Sequence, residues 1–310
     1  MGSQSTRDAY GATLQKLGDN PSVTVLDADL SVSTQTIKFA NKYPSRFIDV
    51  GCAEQNLMGV AAGLAAAGKI PFASTYAIFA MRAWEQIRNT IAHDKLSVKI
   101  AVSHAGLTNA PDGASHQSLE DLALMRVIPN MAVIVPSDAI ETREAVISEV
   151  YRSGPAYIRL NRSKTPILME EDYTFNFGDA VTMREGSDLA IIATGTMVHT
   201  AMEASELLKK EKIESSVINI HTIKPLDNAT VVKIAKTAGA VITMEEHSIY
   251  GGLGGAIAEV LGEQYPVPVK KLGVNDVFGE SGNYEQLLEK HGLTAMKVAA
   301  SGKKLLRVKK

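Results

Sequence analysis

The side chains best suited to chemistry are one glutamate, two histidines, one aspartate and a few arginines. Glu54 opens an Ala/Gly-rich helical run just after the strand-like segment 46–50 and the turn Gly51-Cys52. Open α/β sheets bind ligands beyond the carboxyl ends of their strands, so a carboxylate there could act as a general acid or base. It could equally stabilise the first turn of its own helix through the helix dipole. Segment 103–117 carries His104, Asp112 and His116 among Gly, Asn and Pro residues, directly after a strand-like run. That composition marks a surface loop. Its two imidazoles and carboxylate could hydrogen-bond a hydroxylated substrate, move protons near neutral pH, or ligate a metal. The interval from His104 to His116 is not a compact zinc spacing and no thiolate accompanies it. A purely structural loop also fits.

Arg7 precedes the first helical run, Arg82 lies in an aromatic segment, and Arg162 follows a strand-like run. Guanidinium groups match phosphate bidentately, but a single surface arginine is usually just solvated, so only convergence would carry meaning. Tyr76, Phe79 and Trp84 recur at roughly helical spacing, the pattern of a core stripe or of an aromatic platform. The glycines of 251–255 precede a helix without the full dinucleotide fingerprint. They read as tight helix packing or an interface.

The elements that must hold these residues alternate in type. Strand-like runs at 23–26, 98–102, 133–135 and 156–160 are interleaved with helical patterns at 7–17, 35–42, 54–67, 77–92 and 139–151. Such alternation predicts a parallel sheet flanked by helices. Residues 163–178 mix Pro, acidic and aromatic residues without a period, as a linker does. The pattern resumes with strands at 189–193, 216–220 and 240–244 and helices at 198–210, 228–238 and 254–262. The expectation is an α/β protein of two domains, 1–165 and 186–310, joined by a linker at 166–185, each with a mostly parallel sheet.

The bulk properties bound the partners. The 310 residues are 45% hydrophobic and 21% charged, with a formal net charge of −2, which gives no electrostatic reason to expect nucleic acid or an anionic membrane. The longest smooth stretch, 57–67, is too short to span a bilayer, and the N-terminus lacks the basic-then-apolar order of a secretory signal. One cysteine, Cys52, excludes an internal disulfide and a Cys-rich zinc site and suits the reducing cytoplasm. The basic tail from Lys303-Lys304 to Lys309-Lys310 reads as a solvated terminus.

Taken in order, these segments resemble the transketolase family over almost the whole chain. Residues 49–59 resemble the motif around the family's activating glutamate, and 74–88 the aromatic segment that holds the aminopyrimidine of thiamine diphosphate. His104, Asp112 and His116 match the sugar site. Asp29 and Ser33 match an aspartate near the cofactor and a serine that helps bind substrate phosphate, and Arg7 and Arg162 match phosphate-binding arginines. Residues 219–226 and 245–252 resemble the family's C-terminal domain.

The resemblance implies that Glu54 hydrogen-bonds N1′ of the cofactor while Tyr76 and Phe79 pack on its ring, with Arg82 and Asp29 nearby. It implies that His104 and His116 bind hydroxyls or assist proton transfer, Asp112 reads the donor's hydroxyl configuration, and Arg7, Arg162 and Ser33 hold the sugar phosphate. The reaction implied is transfer of a two-carbon ketol unit between a ketose phosphate and an aldose phosphate. Full-length members carry a further domain whose Gly-Asp-Gly motif and downstream Asn hold the divalent cation and diphosphate. Here Gly18-Asp19 is followed by Asn20 and Gly178-Asp179 by Ala180, and no metal-ligand set is assigned to this chain. The resemblance therefore implies a separate N-terminal subunit that supplies Mg2+ ligands, in an α2β2 assembly. The family often has an aromatic residue where Arg82 stands and a His where Gln55 stands. A split 1-deoxyxylulose-5-phosphate synthase, a 2-oxoacid dehydrogenase E1 β subunit and a non-catalytic regulatory subunit are the alternatives.

Overall fold

The computed structural model describes residues 2–308. Its larger sheet takes strands β1 (Val23–Asp27), β2 (Phe47–Asp49), β3 (Ile70–Tyr76), β4 (Lys99–Ser103), β5 (Ala132–Ile134) and β6 (Ala156–Arg159). The smaller takes β7 (Val181–Arg184), β8 (Leu189–Ala193), β9 (Ser215–Asn219), β11 (Val241–Ser248) and β12 (Val269–Val274), while β10 (Thr222–Lys224) leaves it to join the larger one. The larger sheet runs β10-β5-β6-β4-β3-β1-β2 and is parallel except for β10; the smaller runs β12-β11-β8-β9-β7 and is parallel except for β7. Every residue of β1, β4 and β6 is buried, as expected of parallel strands covered by helices on both faces. The α/β architecture with two mostly parallel sheets is as the alternation of patterns implied.

The two sheets share a core. Val133 of β5 and Val135 just after it lie in one buried apolar cluster with Ile192 and Ile218 of the smaller sheet and Ile220 just after β9. Polar bonds add to the seam: the buried Glu141 carboxylate accepts from Asn219 Nδ2 at 2.8 Å and from the Tyr173 hydroxyl at 2.9 Å. Burial raises the Glu141 carboxyl above its ordinary range although these donors oppose the shift. Residues 163–178 are not a bare linker, because Thr165–Pro166 pairs antiparallel with Ser3–Gln4.

Several local expectations are corrected. The run 77–92 is not one helix but Ala77–Ala80 in α form, Met81–Ala83 in 3-10 form and Gln86–Ala92 in π form. Strand β3 is an addition to the expected strands, because Pro71, Ala73 and Ser74 break any β-branched run there. Lys303 and Lys304 belong to the helix Ala295–Leu306, whereas Met1, Lys309 and Lys310 lie outside the described residues. The glycine run near 251–255 serves packing. Glu245 accepts the N–H groups of Leu253 and Gly254 at 2.7 and 2.8 Å, and a Cβ on Gly252 would lie 1.9 Å from that carboxylate. The first donors of the helix Leu253–Gln264 are thereby taken within the chain. No helix among the described residues is long and apolar enough to cross a membrane.

Candidate active site

Five strands of the larger sheet deliver the candidate residues to one edge. Asp29 and Ser33 follow β1, Glu54 follows β2, Tyr76, Phe79 and Arg82 end or follow β3, His104 to His116 follow β4, and Arg162 follows β6. The chain builds β2 on one side of β1 and β3 on the other, so the order reverses there, where open α/β sheets form their ligand crevice. Arg7 comes from the helix Thr6–Leu17, held at the same edge because the Asn161 N–H donates to Thr6 Oγ1 at 2.7 Å.

Aromatic rings form the floor. Tyr76 and Phe79 stack with centroids 5.4 Å apart at 11°, His104 lies over Tyr76 at 3.9 Å, and His116 meets Phe79 edge-on at 5.4 Å. Both Tyr76 and Phe79 remain partly exposed, so this pair is a platform rather than a core stripe. Trp84 is the structural member of the series, half-buried and donating to the Leu124 carbonyl at 3.0 Å.

His104 is the most constrained residue of the group. Its φ of 60° lies in the left-handed region that non-glycine residues seldom adopt, and the side chain is 2% exposed. Arg7 Nη1 lies 3.2 Å from Nε2 and Ser103 Oγ 2.8 Å from Nδ1. A guanidinium can only donate, so Nε2 accepts and Nδ1 carries the hydrogen, donated to Ser103. Arg7 therefore fixes a tautomer that sequence spacing could not show, and the neighbouring Ser103 hydroxyl accepts the Nδ1 hydrogen. Burial, with Arg7, Arg162 and His116 acting in the same direction, lowers the imidazole to about 3. It is neutral throughout the physiological range.

Arg7 and Arg162 line a cavity of about 460 Å³ with Thr108, Asn283 and Tyr284 among its other walls. Arg7 also donates to the Ser33 carbonyl at 2.9 Å, and Arg162 to Asn109 Oδ1 at 3.2 Å. Burial and the neighbouring Arg162 lower the Arg7 guanidinium against the pull of Asp8. Two like charges facing one polar cavity suit an anion. The wall from the smaller sheet's side, Gly282 to Glu285, was not legible locally because only long-range packing brings it there.

Glu54 opens the helix Glu54–Ala66, half-buried, with no hydrogen bond or ion pair among the described residues. Beside it, Asp49 accepts the N–H groups of Asp29 and Gly51 at 3.0 and 2.9 Å, and Cys52 Sγ approaches Asp29 at 3.7 Å. Asp29, followed by burial, Glu54 and Asp49, raises the Cys52 thiol, so this corner is electronegative. Asp112 ends the turn Gly106–Asp112 and is exposed, as are Arg82 and Asp29. Among the described residues, no hydrogen bond, ion pair or ring contact joins Asp112 or Arg82 to the aromatic pair. A carboxylate free of partners among the described residues and a partly open aromatic pair, delivered to the same sheet edge, have the chemistry to hold the aminopyrimidine half of thiamine diphosphate.

The neutral imidazoles set a testable pH dependence. Burial lowers His221 to about 4. Such groups take up protons in the unfolded chain near pH 6.5 but not in the native one, so their stabilisation is complete above that value and is lost as pH falls toward 4 and 3. Replacing His104 by Asn should remove on the order of 2 kcal/mol from the loss of unfolding free energy between pH 7 and 5. Urea titrations of wild type and variant check this. Buried Asp27, Glu141 and Glu246, raised first by burial, titrate with the opposite sign and cancel in that difference. Equal slopes for the two proteins would contradict a neutral His104.

Residues 2–167 match the transketolase pyrimidine-binding domain and residues 178–298 the transketolase C-terminal domain. A putative transketolase C-terminal section from Methanocaldococcus jannaschii is 47% identical over 298 residues, covering 94% of this chain and 93% of that protein. A 6-deoxy-6-sulfo-D-fructose transketolase subunit from Clostridium sp. (strain MSTE9) is 43% identical, covering 94% and 91%. A solved split-gene transketolase, described as an inactive beta4 tetramer, superposes with a TM-score of 0.93 at 54% identity, covering 99% of each chain. With both domain models matched end to end beneath this site, the chain belongs to the transketolase family.

Proposed function

We propose that this chain is the C-terminal subunit of a thiamine-diphosphate-dependent transketolase, moving a two-carbon ketol unit between a ketose phosphate and an aldose phosphate with a separate N-terminal subunit. The observation that carries the reading is the convergence, at one sheet edge, of an unpartnered Glu54, the Tyr76–Phe79 pair, neutral His104 and the two arginines of one cavity. When bound, the cofactor supplies the carbanion chemistry at its thiazolium.

The chain's own groups do the rest. Glu54 would hold the proton it shares with ring nitrogen N1′, and Tyr76 and Phe79 would pack on the ring. His104 and His116 would bind sugar hydroxyls, with Asp112 at the rim. Arg7 and Arg162 would hold the terminal phosphate away from the reacting carbon, where remote binding can be used for orientation. Arg7 donates to His104 in the free chain, so a phosphate that drew Arg7 away would release Nε2 for the substrate. The cation and diphosphate need dedicated oxygen ligands, which fall to the N-terminal partner in an α2β2 assembly.

The test is reconstitution. The chain alone, with thiamine diphosphate, Mg2+, xylulose 5-phosphate and ribose 5-phosphate, should show no ketol transfer, and adding its cognate N-terminal chain should restore it. Robust transfer by the single chain sinks the two-subunit reading. Product from pyruvate and glyceraldehyde 3-phosphate instead would replace it with a synthase.

A further inference from the structure

We propose that the smaller sheet clamps the sugar site, and that buried Glu246 on β11 is the positioning residue through which it acts on the spacing of Arg7 and Arg162. This rests on the reading of those arginines as the phosphate end of the site.

Glu246 Oε2 accepts from Thr196 Oγ1 at 2.7 Å and from Asn161 Nδ2 at 3.1 Å. The same Asn161 nitrogen lies 3.1 Å from Thr196 Oγ1, so the amide is held from two directions and its side-chain torsions are fixed. Asn161 is the junction of the arginine pair. Its backbone N–H holds Thr6, its carbonyl accepts the Arg7 N–H at 3.4 Å, and Arg162 is the next residue. One carboxylate of the smaller sheet thus sets where both guanidinium stems begin.

The loop between β4 and the helix Asp121–Arg126 is gripped along its length by the same side of the molecule. Gly106, at φ 64°, sits so near β11 that a Cβ would stand 2.8 Å from the Glu246 carbonyl oxygen. The Gly282 N–H donates to Ala110 at 3.0 Å, Gln117 Nε2 to Glu280 at 3.0 Å, and the Ser248 N–H to Leu119 at 2.7 Å. By contrast, among the described residues no hydrogen bond or ion pair ties Glu54 or Tyr76 to the smaller sheet. The clamp therefore bears directly on the substrate end and reaches the Tyr76–Phe79 pair only through His104 and His116 of the loop it holds.

The test compares Glu246→Leu, which removes the acceptor at similar volume, with Glu246→Gln, which keeps one acceptor oxygen. In the reconstituted enzyme, Glu246→Leu should raise KM for ribose 5-phosphate at least about tenfold with kcat changed less than about threefold. With the unphosphorylated donor hydroxypyruvate, transfer to the unphosphorylated acceptor glycolaldehyde should be unaffected, and Glu246→Gln should restore KM for ribose 5-phosphate. Hydrogen exchange on the full chain alone gives a second readout: amides of 104–118 should lose protection in Glu246→Leu while those of β1 and β3 keep theirs. Equal losses for both acceptors, or unchanged protection of 104–118, would overturn the clamp. If wild type showed no ketol transfer, the functional reading would fail, and the exchange result would decide the clamp by itself.

Discussion

Replacing Glu54 by Gln in the reconstituted complex should lower kcat for ketol transfer on the order of 100-fold or more, with the complex still assembling. The carboxylate opens its helix without a hydrogen bond or ion pair among the described residues, so the substitution disturbs no bond there. Gln keeps the length of the side chain but cannot share a proton with a ring nitrogen. Steady-state kinetics with size-exclusion chromatography separates loss of chemistry from loss of assembly. A fully active variant would mean that Glu54 serves only its helix, the alternative that the sequence left open.

The largest effect on stability should come from Asp121→Ala. Asp121 and Arg159 are buried, with Arg159 Nε donating to Asp121 at 2.7 Å and the Tyr157 hydroxyl at 2.8 Å. Burial alone would raise the Asp121 carboxyl, but the Arg159 guanidinium overcomes this and holds it below its ordinary range. Arg159 also donates to the carbonyls of Ser118 and Glu246. Removing the carboxylate strands a buried cation, at a cost of about 3–5 kcal/mol. The double variant Asp121→Leu with Arg159→Met should recover much of that loss, because it removes both desolvation penalties. Urea midpoints for the two variants test the argument, and a single variant within 1 kcal/mol of wild type would contradict it.

What could be read in the sequence follows from what is local. Buried parallel strands such as β4 and β6 set β-branched or aromatic residues, Ile100 and Val102 in one and Tyr157 and Ile158 in the other, in short runs that read as strands. Strand β3 is harder to read, because Pro71 is rarely tolerated inside a sheet and Ala73 and Ser74 interrupt the remaining pattern. The segments after 262 carry weaker patterns, so β12 and the helices Tyr284–Lys290 and Ala295–Leu306 are not legible there. The same division holds at the site. Glu54, His104 and Arg162 each follow a strand and could be picked out as candidates, whereas the tautomer of His104 depends on Arg7, 97 positions away. The Glu246–Asn161 bond spans 85 positions and leaves no trace in any local window.

The strand β10 has a consequence for any attempt to divide the molecule. It lies beyond residue 185 in the chain yet hydrogen-bonds β5 of the larger sheet. Cutting the polypeptide between residues 166 and 185 would leave β5 with a raw, unpaired border, and such borders recruit other chains. An N-terminal fragment carrying every strand-borne candidate residue would thus be prone to self-association, and each half of the chain completes the other.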